Sequence, residues 1–346
     1  MSSIVTGAAG FIGRMLTRTL IEAGENVVGI DRIPQPARPG LTVLTADLLD
    51  DDGLVRAALD GADVVYHLAG CPGVRDRRPG VARRRHRDNV LAGARVLAAV
   101  PPSVPLLVAS SSSVYGGARG GWPSRESDPP RPAGGYAESK TLLERLCAER
   151  IARGGLTTVV RPFTVAGEGQ RPDMALSQWL AAAREGRPLR VLGSLDRTRD
   201  VTDVRQVARA MTDLVARGAQ GTVNIGTGRG HSLRALAAAV AEALGAEVSF
   251  AVEPASPVEP GASLADTSRL RSLVGWTPET DLLDLVRRQA AASAPAAPGD
   301  RSGKVREPVA VGASAAGPVV GAGPAGPGLR AAVRGAAVLS SLAEAT

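Results

Sequence analysis

Short apolar segments alternate with segments of helical periodicity along the first half of the chain. The apolar segments are residues 4–5, 27–30, 41–44, 64–68, 106–108 and 158–160, each bounded by turn residues. Between the first two, apolar residues recur at the spacing of one helical face: Phe11, Ile12, Met15, Leu16, Leu20 and Ile21. Gly24 then stands where a helix would end. Strands that alternate with helices predict an α/β fold built on a doubly wound parallel sheet.

The pattern changes twice further along the chain. After about residue 162 the alternation loosens, although residues 222–225 read as a strand and residues 232–244 as an Ala/Leu-rich helix. From residue 291 the chain becomes rich in Ala, Gly, Pro, Ser and Val, with few charges and no sustained period. Such a segment buries too little apolar surface to offset its ordering entropy. We therefore expect a sheet domain over 1–162, a smaller substrate-binding region over 163–290, and a disordered tail over 291–346.

A glycine-rich turn follows the first predicted strand and opens the first predicted helix. Gly7, Gly10 and Gly13 permit a tight turn and bring a pyrophosphate close to the helix N-terminus, beside Phe11 and Ile12. This is the arrangement of a Rossmann dinucleotide site.

An acidic residue ends the second predicted strand, where a dinucleotide ribose would lie. Asp31 can accept hydrogen bonds from both ribose hydroxyls and would repel a 2′-phosphate, so it favours NAD over NADP, although Arg32 stands beside it. Asp47-Leu48 follows the third strand, at the adenine end of such a site; an Asp there can equally cap a helix.

Tyr136 and Lys140 are four residues apart in a predicted helix, so their side chains share one face. An ammonium held near a phenol, aided by a positive nicotinamide, lowers the phenol's pKa and suits it to accept protons. The spacing alone is common, but of 41 Lys and Arg residues only two are Lys, and Lys304 lies in the predicted tail. Lys140 is therefore the only Lys outside the predicted tail, and its compact ammonium differs chemically from the planar guanidinium of the many Arg residues.

Composition narrows the class of protein. The formal charge is +7, but the basic residues are almost all Arg, are spread along the chain and have few aromatic residues among them, so we expect no nucleic-acid partner. The densest basic run, residues 75–87, is interpreted as a solvated helical face. Two separated cysteines exclude a disulfide framework and show no metal-ligand spacing. With no apolar stretch long enough to span a bilayer and no leader pattern, we expect a cytoplasmic protein that does not bind membranes.

Together with His67–Gly70, Arg199-Asp200 and residues 275–278 (GWTP), these motifs resemble the NAD-dependent epimerase/dehydratase family of extended short-chain dehydrogenases over about residues 3–290. The resemblance implies that Leu68 and Ala69 also contact NAD. It selects Ser111, in the serine run that ends the fifth strand, as the catalytic hydroxyl beside Tyr136 and Lys140. Dehydratases and decarboxylases of the family carry an acidic residue at one of the next two positions. Here these are Ser112 and Ser113, which disfavours both reactions.

A narrower likeness runs from Arg161 to Leu176, which resembles the substrate loop of bacterial UDP-glucuronate 4-epimerases. The resemblance implies that Thr164 and Arg171 hold the sugar carboxylate, with Ser112 and Arg199 as further substrate contacts; a guanidinium suits bidentate carboxylate recognition. Alternatively, Arg171 caps a loop or pairs with Asp173. The chain departs from the family pattern at Ala166, Val201 and Ala262.

These inferences favour an NAD-dependent nucleotide-sugar epimerase that inverts carbon 4 of a UDP-hexuronic acid through a keto intermediate. In this hypothesis Tyr136 takes the proton of the sugar hydroxyl and Ser111 holds its oxygen. The alternatives are a ketoreductase or dehydrogenase acting on a keto sugar or another small carbonyl, and a non-catalytic dinucleotide sensor. The resemblance also implies a homodimer built from the helices near residues 89–100 and 136–153.

Overall fold

A seven-stranded parallel sheet forms the centre of the protein, in a computed structural model that describes residues 2–50, 53–256 and 259–293. The strands of the described ranges are β1 (Ser2–Thr6), β2 (Asn26–Asp31), β3 (Leu41–Thr45), β4 (Val64–His67), β5 (Leu106–Ala109), β6 (Thr157–Pro162), β7 (Thr164–Ala166), β8 (Leu189–Leu192), β9 (Thr198–Arg199), β10 (Val201–Asp203), β11 (Gly221–Ile225), β12 (His231–Ser232) and β13 (Phe250–Glu253). The central sheet has the order β11-β6-β5-β4-β1-β2-β3.

The helices connect these strands. They are α1 (Phe11–Glu22), α2 (Leu54–Asp60), α3 (Val81–Arg85), α4 (Ala92–Ala99), α5 (Gly135–Ala152), α6 (Ala175–Arg184), α7 (Val204–Ala216), α8 (Leu233–Leu244), α9 (Ser268–Val274) and α10 (Leu282–Ala292). A π-helical segment, His86–Leu91, joins α3 to α4, and a 3-10 turn, Ser112–Tyr115, follows β5. No helix in the described ranges has both the length and the apolar character that a bilayer crossing needs.

Apolar side chains cover both faces of the central sheet. One core cluster packs α1 and α7 against the strands, with Leu16 and Met211 fully buried. The other packs α2, α4 and α5 against the opposite face, with Leu59 and Leu143 fully buried. A parallel sheet needs helices on both faces because its strands are apolar on both sides. The predicted doubly wound fold is therefore confirmed.

The strand order reverses between β1 and β4, which places a crevice at the carboxyl ends of these strands. Three chain segments leave the sheet at this edge: the glycine-rich turn after β1, Leu68-Ala69 after β4, and the serine run after β5. These three segments, which carry the predicted pyrophosphate cradle and the predicted catalytic hydroxyl, therefore start from one edge of one sheet.

A smaller layer lies beyond β6. The pairs β7–β10, β9–β12 and β8–β13 surround a third core cluster made by α6, α8 and α10. The strand predicted at 222–225 is β11, which pairs with β6 in the central sheet, and α7 packs on α1. The boundary at residue 162 stays a prediction, and the chain crosses back into the large sheet after it. Of the predicted tail, residues 294–346 lie outside the described residues.

Candidate active site

The turn between β1 and α1 leaves no room for side chains at two glycines. A Cβ on Gly13 would lie 2.1 Å from the carbonyl oxygen of Gly7, and a Cβ on Gly7, whose φ is +73°, would lie 2.6 Å from the amide nitrogen of Ala69. Helix α1 follows Gly10 with no side-chain cap and no acidic residue in its first turn. The first N–H groups of α1 are therefore available to an anion, and the turn fits the pyrophosphate of a dinucleotide.

The apolar residues predicted to contact the cofactor lie around this turn. Phe11, Ile12 and Leu68 are partly buried against the α1 side of the sheet. Leu48 is buried in the core on the opposite face, with Ala69 partly buried against it. Their contacts with NAD stay predictions.

Asp31 ends β2 beside the glycine-rich turn. One oxygen of its carboxylate accepts from the amide of Ala9 at 2.9 Å, and the other accepts from the amide of Ile33 at 2.9 Å. Two backbone donors thus fix the carboxylate at the edge of the cradle. The contact of Asp31 with a ribose stays a prediction.

Arg32 is held by carboxylates. Its guanidinium lies 2.9 Å from Asp88 and 3.6 Å from Asp47, and Arg87 lies 2.7 Å from Asp47. Burial raises the pKa of Asp47, but the amide of Leu49 and the charge of Arg87 lower it below its usual value. Asp47 therefore belongs to a chain of alternating charges and does not cap a helix. A 2′-phosphate near Arg32 would have to compete with these carboxylates.

Tyr136 lies in the first turn of α5, opposite the end of β5. Ser111 leaves that strand in an extended conformation, and its hydroxyl accepts from the amide of Ser113 at 3.1 Å. Burial raises the pKa of Tyr136 above its ordinary value, whereas the Ser111 side chain and the charges of Arg171 and Arg85 lower it. Ser111 therefore lies close to Tyr136, and the charges of two arginines from different segments act on its pKa.

Lys140 lies one helical turn after Tyr136 and is 5% exposed. Its Nζ donates to the carbonyl oxygen of Ala109 at 2.8 Å, which fixes the ammonium at the end of β5. Burial lowers the pKa of Lys140 to about 8, and the nearby Glu144 carboxylate opposes this effect. Since a Cβ on Gly70 would lie 3.5 Å from Nζ, the ammonium also borders the segment after β4.

Sequence reasoning missed Asn89, which lies fully buried in the π-helical segment. Its side chain accepts from the amide of Cys71 at 2.7 Å and donates to the hydroxyl of Ser139 at 2.8 Å. Ser139 in turn donates to the carbonyl oxygen of Tyr136 at 2.7 Å. Asn89 thus ties the loop after β4 to the first turn of α5. The only signal in the sequence was an Asn at this position of a helical pattern.

Arg171 is paired within its own loop. Its guanidinium makes two hydrogen bonds to the carboxylate of Asp173, both 2.9 Å long. This is the alternative pairing considered from the sequence, yet the charge of Arg171 also reaches Tyr136. Thr164, predicted to act with Arg171, lies partly exposed in β7. The substrate roles of these two residues stay predictions.

Arg199 belongs to an ion cluster that the sequence did not reveal. Its guanidinium lies 2.9 Å from Glu259, and Arg75 forms a two-pronged pair with the same carboxylate at 2.8 and 2.9 Å. Burial raises the pKa of Glu259, but its pairs with the two arginines lower it to about 2. Ser112 is partly exposed in the turn after β5. Substrate contacts from Arg199 and Ser112 are still predictions.

The fold and the glycine-rich turn define a class: enzymes that bind a dinucleotide at the carboxyl edge of a doubly wound sheet. The catalytic roles of Ser111, Tyr136 and Lys140 stay predictions. The chain belongs to the NAD dependent epimerase/dehydratase family, whose model matches residues 3–226. It is 31% identical over 304 residues to a protein of Bacillus subtilis described as an uncharacterized UDP-glucose epimerase, covering 82% of this chain and 95% of that one.

Two solved structures extend the comparison. MoeE5 in complex with UDP-glucuronic acid and NAD is 36% identical, with a TM-score of 0.77. The UDP-glucuronic acid 4-epimerase of Bacillus cereus, in complex with UDP-glucuronic acid and NAD, is 28% identical, with a TM-score of 0.78. Each match covers 84% of this chain and 98% of the other. The predicted family, enzyme class and cofactor NAD are confirmed.

Proposed function

We propose that the protein is a nucleotide-sugar epimerase that inverts carbon 4 of a UDP-hexuronic acid, with UDP-glucuronate as the first substrate to test. The observation that carries this proposal is that Tyr136 lies one helical turn before Lys140, whose Nζ is fixed at the end of β5, the strand that Ser111 follows. A proton acceptor and a hydroxyl that can orient the sugar oxygen therefore lie at one end of the sheet, and the charge of Arg171, a cation suited to a carboxylate, lowers the pKa of Tyr136. The two solved relatives that hold UDP-glucuronic acid support the same substrate class.

The residues divide the reaction between them. Tyr136 takes the proton of the C4 hydroxyl and returns it, Ser111 donates a hydrogen bond to the reacting oxygen, and Lys140 keeps a positive charge at the end of β5. When bound in the glycine-rich turn, NAD would supply a reversible acceptor for the hydride of carbon 4, so that the reaction would need no external oxidant or reductant.

Burial opposes the ionisation of Tyr136, because it raises the pKa of the phenol. A shift of about three units toward neutrality corresponds to about 4 kcal/mol of differential stabilisation of the phenolate. Ser111, Arg171 and Arg85 act in that direction. We assign the remainder to Lys140 and to the positive nicotinamide ring.

The two arginine pairs suit an anionic substrate. A sugar carboxylate would share or replace Asp173 on Arg171, and the nucleotide phosphates would compete with Glu259 for Arg199. In both places an acidic side chain of the protein already forms an ion pair with the arginine. A substrate that brings its own anions can therefore exchange with these carboxylates without leaving a buried charge unpaired.

The test is incubation of the purified full-length protein with UDP-glucuronate and NAD, followed by proton NMR of the sugar. We expect UDP-galacturonate to form until the two epimers reach equilibrium, with no net reduction of nicotinamide. Tyr136→Phe should stop the conversion and still bind NAD, which calorimetry would check. If UDP-glucuronate stays unchanged, the proposed substrate is wrong, and a steady rise of reduced-nicotinamide absorbance would identify a dehydrogenase instead.

The homodimer inferred from the family resemblance is also part of this proposal. Leu142 on α5 is 40% exposed, and Leu91 at the end of the π-helical segment is 47% exposed. Large apolar side chains on neighbouring helices favour a partner surface. Light scattering during size-exclusion chromatography should give twice the chain mass. A monomer at all concentrations would contradict it.

A further inference from the structure

One member of the basic run at 75–87 is buried beside the catalytic helix. The run was interpreted as a solvated face, and Arg83 and Arg84 are indeed exposed, but Arg85 is only 7% exposed. Helix α3, which Arg85 ends, packs against α5. Burying a guanidinium costs free energy unless it makes compensating interactions, so its surroundings indicate what it does.

The guanidinium of Arg85 connects two segments of the site. One of its terminal nitrogens donates to the carbonyl oxygens of Gly73 and Asp76, the second at 3.0 Å, and so holds the loop after β4. A Cβ on Gly135 would lie 3.4 Å from the other terminal nitrogen, which places that nitrogen against the residue before Tyr136. The Nε atom is buried and has no hydrogen-bond partner among the described residues.

We propose that Arg85 is a positioning residue of the active site: its guanidinium holds the loop after β4 and lies against the start of α5, where its positive charge acts on Tyr136. The inference rests on the proposed function because the phenolate is the form that takes the proton from the sugar. Neutral carbonyls accept the hydrogen bonds of Arg85, and the Glu138 carboxylate on α5 also approaches this point, 3.8 Å from the Cβ position of Gly135. The charge of Arg85 lowers the pKa of Tyr136, whereas Cys71 raises it.

The protein contains only three tyrosines, which permits a direct test without a sugar substrate. Burial raises the pKa of Tyr115 to about 12 and raises that of Tyr66 still further. The titration of Tyr136 must therefore be separated from the titrations of these two residues. Its titration can be followed by tyrosinate absorbance in the full-length protein saturated with NAD, with Tyr136→Phe as the blank.

The variants separate charge from shape. On the rising part of the titration, Arg85→Met should lower the tyrosinate fraction on the order of three-fold or more, since loss of a nearby opposite charge disfavours the ionised form. Arg85→Lys should retain most of that fraction because it keeps the charge. Arg83→Met, on the exposed side of the same helix, is the matched control and should match the wild type. Circular dichroism and NAD affinity verify that each variant folds.

The inference is overturned if Arg85→Met, or Arg85→Gln should the Met variant not fold, titrates like the wild type. It is also overturned if Arg85→Lys loses as much tyrosinate as Arg85→Met, because the charge would then play no part. Since no sugar is present, these outcomes are independent of whether UDP-glucuronate is the substrate. A wild-type protein that fails to epimerise UDP-glucuronate would count against the proposed function alone.

Discussion

A buried ion pair beneath the catalytic helix gives the strongest prediction about stability. Glu144, one turn after Lys140 on α5, accepts two hydrogen bonds from Arg161 on β6, at 2.6 and 2.9 Å. Its side chain is 10% exposed and that of Arg161 is 4% exposed. The hydroxyl of Ser110 donates to the same carboxylate at 2.5 Å. We predict that Glu144→Ala destabilises the protein strongly.

The magnitude follows from what the substitution leaves behind. Arg161 would keep its bond to the Tyr115 hydroxyl at 2.7 Å but would lose its counter-charge in a buried site. Removing one partner of a buried pair costs about 3–5 kcal/mol. For a chain of this size, each kcal/mol lowers the melting temperature by about 2 °C. The expected decrease is therefore about 6–10 °C.

Thermal unfolding followed by circular dichroism measures this decrease, and an exposed pair provides the control. Arg190 and Glu253 also form two hydrogen bonds, both 2.7 Å long, but their side chains are 59% and 44% exposed. Exposed pairs contribute about 0–1 kcal/mol. Glu253→Ala should therefore lower the melting temperature by no more than about 2 °C.

Two results would refute this reasoning. The first is a decrease for Glu144→Ala that is no larger than that for Glu253→Ala. The second concerns the double variant Glu144→Leu with Arg161→Met, in which apolar side chains replace both charges. Because such replacement is often close to neutral, the double variant should be more stable than Glu144→Ala. A less stable double variant would mean that the cost does not come from an unpaired charge.

Three further predictions concern the cofactor site and the helices. Gly13→Ala should weaken NAD binding about ten- to a hundred-fold, since overpacking costs about 1–3 kcal/mol. Calorimetry should find Gly61→Ala unchanged, as its Cβ would meet no atom closer than 3.4 Å. Asp31→Ala should lower the affinity for NAD and reduce the preference for NAD over NADP. An unchanged preference would show that Asp31 does not select the cofactor. Arg150→Met should cost about 2–4 kcal/mol of stability because its buried guanidinium donates to three carbonyl oxygens at the end of α4; a denaturant midpoint equal to that of the wild type would disprove this.

Much of the fold and part of the site could be predicted from local patterns. The predicted strands at 4–5, 27–30 and 64–68 fall on β1, β2 and β4, because apolar segments between turn residues are a local property of the chain. Tyr136 and Lys140 share a helical face because a spacing of four residues sets this directly. The glycine-rich turn was recognisable for the same reason: Gly7, Gly10 and Gly13 lie within one short stretch of the sequence.

Contacts between distant segments were not predictable in this way. The pairing of Arg75 with Glu259 joins residues 184 positions apart, and no local pattern indicates which carboxylate a given arginine meets. The basic run at 75–87 illustrates the same limit. Its composition indicated a solvated face, yet the packing of α3 against α5 buries Arg85 and leaves Arg83 exposed.

The sequence by itself determined the periodicity, the turns and the residue types, and these specify a doubly wound sheet with a dinucleotide cradle and a Tyr-Lys helix. Only the tertiary structure decided that β11 returns to the central sheet after residue 162, that Arg85 is buried, and which carboxylate Arg199 meets. The physical reason is the distance along the chain over which each kind of interaction acts. Backbone preferences and side-chain periodicity act over a few residues, whereas burial and charge pairing depend on which distant segments the completed fold brings together.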